Sequence, residues 1–259
     1  MPAPVVRQSL VQSASGSYLD TALASANPSP RTLYCKVPTA AELNAMSGIT
    51  ASKLRRLATS RVTAVQVAAY ATALEAHRQK GEINTLYRVT HFLSQLAHEC
   101  MHFARMVESF AYKPASAVAT FSKIGSEEDA AALLAEDTTG EAFANFVYAT
   151  SNGNSEPGDG YRFRGRGFIQ LTGRANYKAF SAAINLAGVD LVETPDRAAE
   201  ADIAARIAVA YWKQRGINTA ADRDDTAAVT RLINGKALKG LAERRQLLDV
   251  AKNAFFPRP

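Results

Sequence analysis

The stretch NTLYRVTHFLSQLAHECMHFARMVESFAY, residues 84–112, decides the fold. On an α-helix, the apolar side chains at positions 92, 96, 100, 103 and 107 fall within about 80° of one another, as on the buried face of an amphipathic helix. We therefore predict a helix over residues 84–107 at the centre of the fold. Glu99 lies at the edge of its buried face.

The two carboxylates of this stretch, Glu99 and Glu108, are candidates for an acid and a base. Burial favours the neutral acid, which can deliver a proton. On an unbroken helix Glu108 points about 180° away from Glu99, so the pair converges only if the helix ends between Met106 and Glu108. Pro114, which follows closely, is consistent with such an end. The alternative is a salt-bridged core glutamate and an unrelated surface glutamate.

The residues His98, Glu99 and His102 spell HExxH, the signature of zinc proteases. A zinc ion needs a third protein ligand. His91 lies about 10 Å from His98 along the helix axis, which is too far. A downstream carboxylate, Glu127 or Glu128, stays open as the third ligand, and so does a metal hydrolase.

Composition describes a soluble globular protein, with 259 residues, 47% hydrophobic and 21% charged. No apolar run approaches about 20 residues, so we predict no membrane span. The formal charge of +6 and the pI near 9.4 suit an anionic partner such as nucleic acid, a cell-wall polymer or a membrane surface, although an ordinary basic surface fits equally well. The N-terminal residues show no secretory signal.

Residues 1–36 are rich in Ala, Ser and Pro, and we predict an N-terminal extension of unknown role. Residues 37–259 are predicted to form one catalytic domain of about eight helices. Its first helices include a short one capped by Thr50 and a longer amphipathic one over residues 63–79. Cys35 and Cys100 match no metal spacing, and Cys100 is expected to be a reduced core thiol.

The segment SNGNSEPGDGYRFRGR, residues 151–166, is predicted to be a long exposed loop because it holds four glycines and a proline. It leads into GFIQLTG, which as a strand places Ile169 and Leu171 on one face. Gln170 and Thr172 then present an amide and a hydroxyl on the other face, as a polar ligand requires. An edge strand with a polar outer face is the alternative.

These segments together resemble glycoside hydrolase family 19, the plant-type chitinases and their phage endolysin relatives. The matching stretches are FLSQLAHE at 92–99, VES and FAY within 107–112, GDGYRFRGRGFIQLTGRANY at 158–177, PDRAAE at 195–200 and ING at 233–235. The resemblance runs from about residue 63 to the C-terminus and is greatest to the endolysin branch. It implies a mainly α, lysozyme-like α+β fold, with about eight helices around a cleft and one small β element near residues 160–172.

The resemblance also implies the roles of individual residues. Glu99 corresponds to the general acid and Glu108 to the general base of an inverting hydrolysis, which requires carboxyls about 6.5–9.5 Å apart. An arginine of the last helix, Arg244 or Arg245, is expected to brace the acidic site, and we select Arg244. The residues expected to line the sugar cleft are Gln170, Thr172, Asn176, Tyr177 and Asn234.

Two departures from the family pattern stand out. Relatives follow the HE dipeptide with Ser or Thr and two glycines, whereas this chain reads HECMHF, so Met101 and His102 are expected to narrow the cleft. The same departure creates the HExxH spelling, which we interpret as incidental, with no metal. The later motif reads Asn234-Gly235-Lys236 instead of Asn-Gly-Gly.

The sequence thus predicts an endolysin-like muramidase, a lysozyme-type enzyme that cuts the β-1,4 bond between N-acetylmuramic acid and N-acetylglucosamine and lyses bacteria. No cofactor is expected, because both steps are proton transfers. The expected partners are peptidoglycan strands, without nucleic acid or membrane insertion, and the expected state is a monomer. We expect it to be made in a bacterial host's cytoplasm and to act in the periplasm or cell wall after release, as a phage lysin or an antibacterial effector. A chitinase and a non-catalytic wall-binding module are the alternatives.

Overall fold

The protein is seen here in a computed structural model, and the structure describes residues 46–135 and 138–256. The predicted extension over residues 1–36 and Cys35 lie outside this part of the chain. Among the described residues, no helix has the length and apolar character needed to cross a bilayer.

Helices make up most of the described chain, which confirms the mainly α, lysozyme-like fold class. The α-helices are α1 (Ala51–Arg55), α2 (Ala64–Arg78), α3 (Leu86–Glu99), α4 (Pro114–Thr120), α5 (Glu127–Ala135), α6 (Glu141–Tyr148), α7 (Asp159–Arg162), α8 (Arg174–Ile184), α9 (Ala201–Gln214), α10 (Asn218–Asp222), α11 (Thr226–Asn234) and α12 (Leu241–Phe255). Short 3₁₀-helices span Gln79–Gly81 and Pro195–Ala199. The described residues hold twelve α-helices, more than the about eight predicted, and two of the additional ones, α7 and α10, are single turns without a periodic sequence signal.

The helix starts follow from side-chain caps in the sequence. Thr50 accepts a hydrogen bond from the backbone of Lys53 at the start of α1, as predicted. Thr63 and Gln66 form a reciprocal capping box at the start of α2. Asp225 caps α11 through the backbone N–H of Ala228.

Helix α3 lies at the centre of the main hydrophobic core. All of its residues from Val89 to Ala97 are buried, and it packs mainly against α12. The ring of Phe92 meets Trp212 of α9 edge to face, with ring centroids 5.3 Å apart. Phe168, from the glycine-rich segment, packs in the same way on Tyr70 and Phe103. The segment expected to carry function is therefore anchored in the main core.

Two smaller clusters complete the core. One joins α8 and α9 around Phe163, Tyr177 and Ile203. The other joins α4, α5 and α6 around Phe143, and its rings include Phe110 and Phe121.

The prediction that α3 continues to residue 107 is wrong, because α3 ends at Glu99. Met101, His102 and Phe103 follow it with φ of 49°, 55° and 66°. Three consecutive left-handed residues with a Cβ are unfavourable, which is why sequence periodicity did not reveal the end. Because of this turn, Glu99 is the last residue of the helix, and Glu108 lies beyond it in extended chain.

The predicted strand over GFIQLTG is also wrong. The backbone of Arg166 exchanges two hydrogen bonds with Leu171, at 3.1 and 2.9 Å, and residues 167–170 form the turn between them. Within the described residues, β pairing is limited to the bridges Val107–Arg166 and Arg166–Leu171. Gln170 adopts φ of 49°, which breaks the expected alternation of side chains. The long exposed loop predicted before this turn is partly wrong, since Asp159 is buried in α7.

Candidate active site

The carboxylate of Glu99 is held by Arg244. The guanidinium Nη2 of Arg244 donates to Oε1 of Glu99 at 2.5 Å, and its Nη1 donates to Oε1 of Gln95 at 2.5 Å. Arg244 is 1% exposed, whereas the Glu99 side chain is 21% exposed. The buried guanidinium of Arg244 fixes one oxygen of Glu99. The carboxyl group of Glu99 is still accessible, because its side chain is partly exposed. No described residue donates a hydrogen bond to Oε2 of Glu99.

The backbone between α11 and α12 completes the surroundings of Arg244. The carbonyl of Lys239 accepts from Nε of Arg244 at 3.1 Å and from Nδ2 of Asn234 at 2.9 Å. Asn234, predicted to line the cleft, thus shares a carbonyl partner with the arginine that holds Glu99. Its Oδ1 is buried without a hydrogen-bond partner in the described part of the chain.

The carboxylate of Glu108 is held by a different pair of donors. The hydroxyl of Tyr148 donates to Oε1 at 2.8 Å, and the backbone N–H of Gly165 donates to Oε2 at 2.9 Å. Burial and the nearby Glu108 carboxylate raise the pKa of Tyr148, so its hydroxyl stays protonated and remains a donor. Glu108 is half-buried and keeps lone pairs that can accept from water.

Gly165 lies between Glu108 and Gln170. A Cβ at this position would be 3.0 Å from Oε1 of Gln170 and 3.1 Å from Oε2 of Glu108. The amide of Gln170 donates to the carbonyls of Arg105 and Gly167 at 3.1 and 3.0 Å, which fixes its orientation. Its Oε1 therefore points to the space beside Glu108, where it can accept a hydrogen bond from a ligand.

A small pocket of about 210 Å³ contains three of the predicted sugar-binding residues, Gln170, Thr172 and Asn176. Tyr211 lines the same pocket. Burial raises the pKa of Tyr211 and the Glu99 carboxylate raises it further, while Arg215 opposes the rise. The Tyr211 hydroxyl donates to the carbonyl of Ile233, the residue before Asn234, at 2.8 Å.

Tyr177 lies outside this pocket, which differs from the expectation for this residue. It is fully buried, its hydroxyl accepts from Arg166 at 2.9 Å, and it donates to the carbonyl of Arg164 at 2.7 Å. Arg166 is itself buried and bound to Asp196. Tyr177 therefore supports the turn that carries Gln170 and has no surface with which to contact a sugar.

A second pocket, of about 410 Å³, is lined by Glu108 itself. Arg164 and Tyr161 line it together, with the guanidinium 4.0 Å from the ring centroid. The nearest carboxylate to Arg164 is that of Asp196 at 3.9 Å, which also binds Arg166 at 2.6 Å. Arg164 thus adds a weakly compensated positive charge beside Glu108.

The histidines of the HExxH spelling do not share a helix. His98 belongs to α3, whereas His102 lies in the left-handed turn after it. Among the described residues, no group of three or more His, Cys, Asp or Glu side chains is arranged to hold a metal ion. The two histidines approach Glu243 instead.

The comparisons with known proteins bear on the family of the chain. No protein-family model matches the chain. A curated protein of Haemophilus influenzae (strain ATCC 51907 / DSM 11121 / KW20 / Rd), described as a glycosyl hydrolase family 19 domain-containing protein, is 35% identical over 178 residues, which is 68% of this chain and 84% of the relative. The chain belongs to glycosyl hydrolase family 19. The family predicted from the sequence motifs is confirmed.

Two side chains of this family 19 site were not identified from the sequence. Tyr148 lies 40 residues after Glu108, and its pattern in α6 indicates only an aromatic core residue. Gln95 lies one helical turn before Glu99 on the buried side of α3, so the spacing places both on one side of the helix. That spacing is the one signal that the sequence carries for Gln95, since a buried glutamine has no distinctive pattern.

Proposed function

We propose that this family 19 protein is a muramidase, which hydrolyses the β-1,4 bond between N-acetylmuramic acid and N-acetylglucosamine in peptidoglycan. The observation that carries the proposal is the separate fixation of two partly exposed carboxylates. Arg244 holds Glu99, whereas Tyr148 and the backbone of Gly165 hold Glu108. One short segment of chain, which turns sharply after α3, joins the two. Two differently held carboxyl groups suit an acid and a base.

In this mechanism Glu99 is the general acid. Arg244 binds Oε1, which leaves Oε2 to carry the proton and pass it to the glycosidic oxygen as the bond to the anomeric carbon breaks. Glu108 is the general base and takes a proton from the water that attacks the anomeric carbon from the opposite face. The amide and backbone groups around Gln170 orient the N-acetyl sugar. The first product then has the inverted, α configuration at its new reducing end.

The charge of the site supports an acidic glycan. The chain carries a formal charge of +6, and Arg164 lines the pocket beside Glu108 with a weak carboxylate partner. Peptidoglycan carries the lactyl group and peptide carboxylates, whereas chitin is neutral. A cation next to the catalytic base favours the former through long-range attraction and a direct ion pair.

The test is digestion of purified peptidoglycan and of colloidal chitin, with products identified by mass spectrometry. We expect fragments with N-acetylmuramic acid at the reducing end and little soluble product from chitin. Proton NMR of the first product is expected to show the α anomer before it equilibrates. Fragments ending in N-acetylglucosamine, or a β anomer formed first, would contradict the proposal.

A chitinase is the second candidate, because Gln170, Thr172 and Asn176, three of the residues that line the smaller pocket, carry uncharged polar groups that suit neutral N-acetylglucosamine. Faster release of oligosaccharides from chitin than from peptidoglycan would favour it. Binding to either polymer without any product would instead indicate a wall-binding module.

The setting follows from the substrate. We propose that the protein acts on peptidoglycan strands in the periplasm or cell wall, as a monomer, and that its activity lyses bacteria. A phage endolysin and an antibacterial effector both fit this activity. Loss of turbidity of intact bacteria, compared with cells whose outer membrane has been permeabilised, measures whether the protein acts alone from outside.

A further inference from the structure

The two histidines of the HExxH spelling converge on one carboxylate. Nδ1 of His98 lies 3.0 Å from Oε2 of Glu243, and Nε2 of His102 lies 3.3 Å from Oε1 of the same residue. Glu243 is in the first turn of α12, and its side chain is 47% exposed. Each of its oxygens therefore faces a different histidine.

This contact lies directly beside the Glu99–Arg244 ion pair. His98 precedes Glu99 at the end of α3, and Glu243 precedes Arg244 at the start of α12. Two neighbouring residues of one helix thus bind two neighbouring residues of the other. A displacement of Glu243 moves Arg244 with it, because both belong to one rigid helical turn.

The backbone at Gly240 closes the same junction. This residue has φ of +72°, and a Cβ here would lie within 2.5 Å of the Cε1 and Nε2 atoms of the His98 ring. The ring is thus wedged between Glu243 and the chain that leads into α12. Such packing fixes the imidazole and leaves little freedom for the end of α3.

His102 links the junction to the left-handed turn. The backbone N–H of His102 donates to the carbonyl of Ala97 at 2.6 Å, and its carbonyl accepts from Thr59 at 3.2 Å. The left-handed backbone of this turn is energetically unfavourable for residues with a Cβ, so it needs stabilising contacts from neighbouring residues. The contact between His102 and Glu243 supplies one such restraint.

We propose that Glu243 is a positioning residue, which binds His98 and His102 together and thereby sets the place where Arg244 holds the carboxyl group of Glu99. This inference rests on the proposed role of Glu99 as the acid. It assigns a purpose to His102, whose imidazole supplies the second contact to Glu243. Glu243 itself touches no substrate in this account.

The burial and charged neighbours of His98 determine its protonation state. Burial lowers the pKa of His98, Arg244 lowers it further, and Glu243 and Glu99 oppose the change. His98 is therefore neutral at pH 7, and its Nδ1 contacts Oε2 of Glu243 at 3.0 Å without the geometry of a hydrogen bond. Removal of the Glu243 charge takes away one of the two groups that raise the pKa of His98, so this pKa falls further.

The test compares four variants: Glu243→Gln, His102→Gln, the double variant, and Glu200→Gln as a control. Glu200 is an exposed glutamate that pairs with Arg197 away from the site, so its replacement removes the same charge without the same contact. For each variant we measure kcat and KM on peptidoglycan, the unfolding transition, and the titration of His98 by NMR.

We expect Glu243→Gln to lower kcat about tenfold, the effect of one charge-assisted hydrogen bond, with KM changed less than about twofold. His102→Gln is expected to lower kcat about threefold, and the double variant to match Glu243→Gln, because both substitutions break one junction. Glu200→Gln keeps the kcat of the unmodified protein. His98 is expected to titrate at lower pH in Glu243→Gln.

Equal kcat for Glu243→Gln and Glu200→Gln would overturn the inference, and so would multiplicative losses in the double variant. If Glu243→Gln does not fold, His102→Gln decides alone, and a kcat equal to that of the control would overturn the inference. Lack of peptidoglycan cleavage by the unmodified protein contradicts the proposed function instead. The NMR titration then tests the junction by itself, and an unchanged His98 titration would overturn it.

Discussion

Arg244 binds Glu99 and Gln95 at once, through the two terminal nitrogens of one buried guanidinium. Glu99 and Gln95 are one helical turn apart on α3, so the arginine clamps the last turn of this helix. The planar fork of arginine allows this geometry, which a lysine ammonium cannot reproduce. The acid of the proposed mechanism is thus positioned by a residue from the far end of the chain.

Substitution of Arg244 tests this clamp. Arg244→Met fills a similar space but leaves Glu99 and Gln95 without their partner, and we expect a loss of about 3–5 kcal/mol in the free energy of unfolding. Urea denaturation followed by circular dichroism measures it. The matched control is Arg245→Met, because Arg245 is exposed on the same turn of α12. The control is expected to change stability by less than about 0.5 kcal/mol. Similar losses in both variants would show that the contacts of Arg244 with Glu99 and Gln95 do not contribute to the free energy of unfolding.

Tyr148 is expected to support the base. Tyr148→Phe removes the hydroxyl that donates to Oε1 of Glu108 and leaves the ring in place. We expect kcat on peptidoglycan to fall about tenfold, since one hydrogen bond to a charged group is lost. Tyr70→Phe is the control, because Tyr70 packs in the main core against Phe168 and no described residue bonds its hydroxyl. The prediction fails if the two variants have the same kcat.

Gly165 offers a steric test of the site. Gly165→Ala introduces a methyl group 3.0 Å from Gln170 Oε1 and 3.1 Å from Glu108 Oε2, so both groups must move. We expect a loss of at least about tenfold in kcat/KM, with little change in the unfolding transition. Gly188→Ala is the converse control, because Gly188 has φ of +73° and a Cβ added there would meet no described atom within 4 Å. This substitution is expected to lower the free energy of unfolding by about 1 kcal/mol and to leave kcat/KM unchanged. An active Gly165→Ala variant would contradict the site geometry.

The lowered pKa of Asp159 determines how the stability of the fold depends on acidic pH. Burial alone raises the pKa of Asp159, but hydrogen bonds from Arg174 and from the backbone of Ser155 and Glu156 lower it to about 2. The ordinary value of 3.8 applies in the unfolded chain, so this carboxylate stabilises the fold above pH 3.8, and the contribution is lost as the pH falls through about 2.

Asp159→Asn is therefore expected to lower the free energy of unfolding at pH 7 by at least about 2 kcal/mol and to flatten its dependence on pH between about 4 and 2. Denaturant titrations over this range measure both effects. Asp222→Asn is the control, since Asp222 forms an exposed pair with Arg88. An unchanged slope in Asp159→Asn would show that this buried pair does not control acid stability.

The sequence predicts the helices of this protein well because their signals are local. Caps at Thr50, Thr63 and Asp225 and the apolar periodicity of α3 are set within one or two turns. The end of α3 has no such signal, since residues 101–103 adopt a conformation that their own side chains disfavour. Relatives carry two glycines after the HE dipeptide, and glycine adopts the left-handed conformation freely. This difference from relatives is the one indication in the sequence that the helix ends there.

The candidate site contains residues that the sequence singled out and others, such as Tyr148, that it did not. The geometry brings together Glu99 with Arg244, and Glu108 with the turn that carries Gln170. Tyr148 came from a helix whose sequence indicates packing alone. Tyr177 is part of the family motif yet is buried, because a motif preserves the support of a site together with its contacts.

The most direct test of the account is digestion of purified peptidoglycan by Glu99→Gln beside the unmodified protein. The variant keeps the size of the side chain and a carbonyl acceptor for Arg244, but it cannot deliver a proton. We predict a loss of at least about 1,000-fold in the release of fragments ending in N-acetylmuramic acid, with an unfolding transition close to that of the unmodified protein. Equal activity of the two proteins would contradict the central claim that Glu99 is the acid.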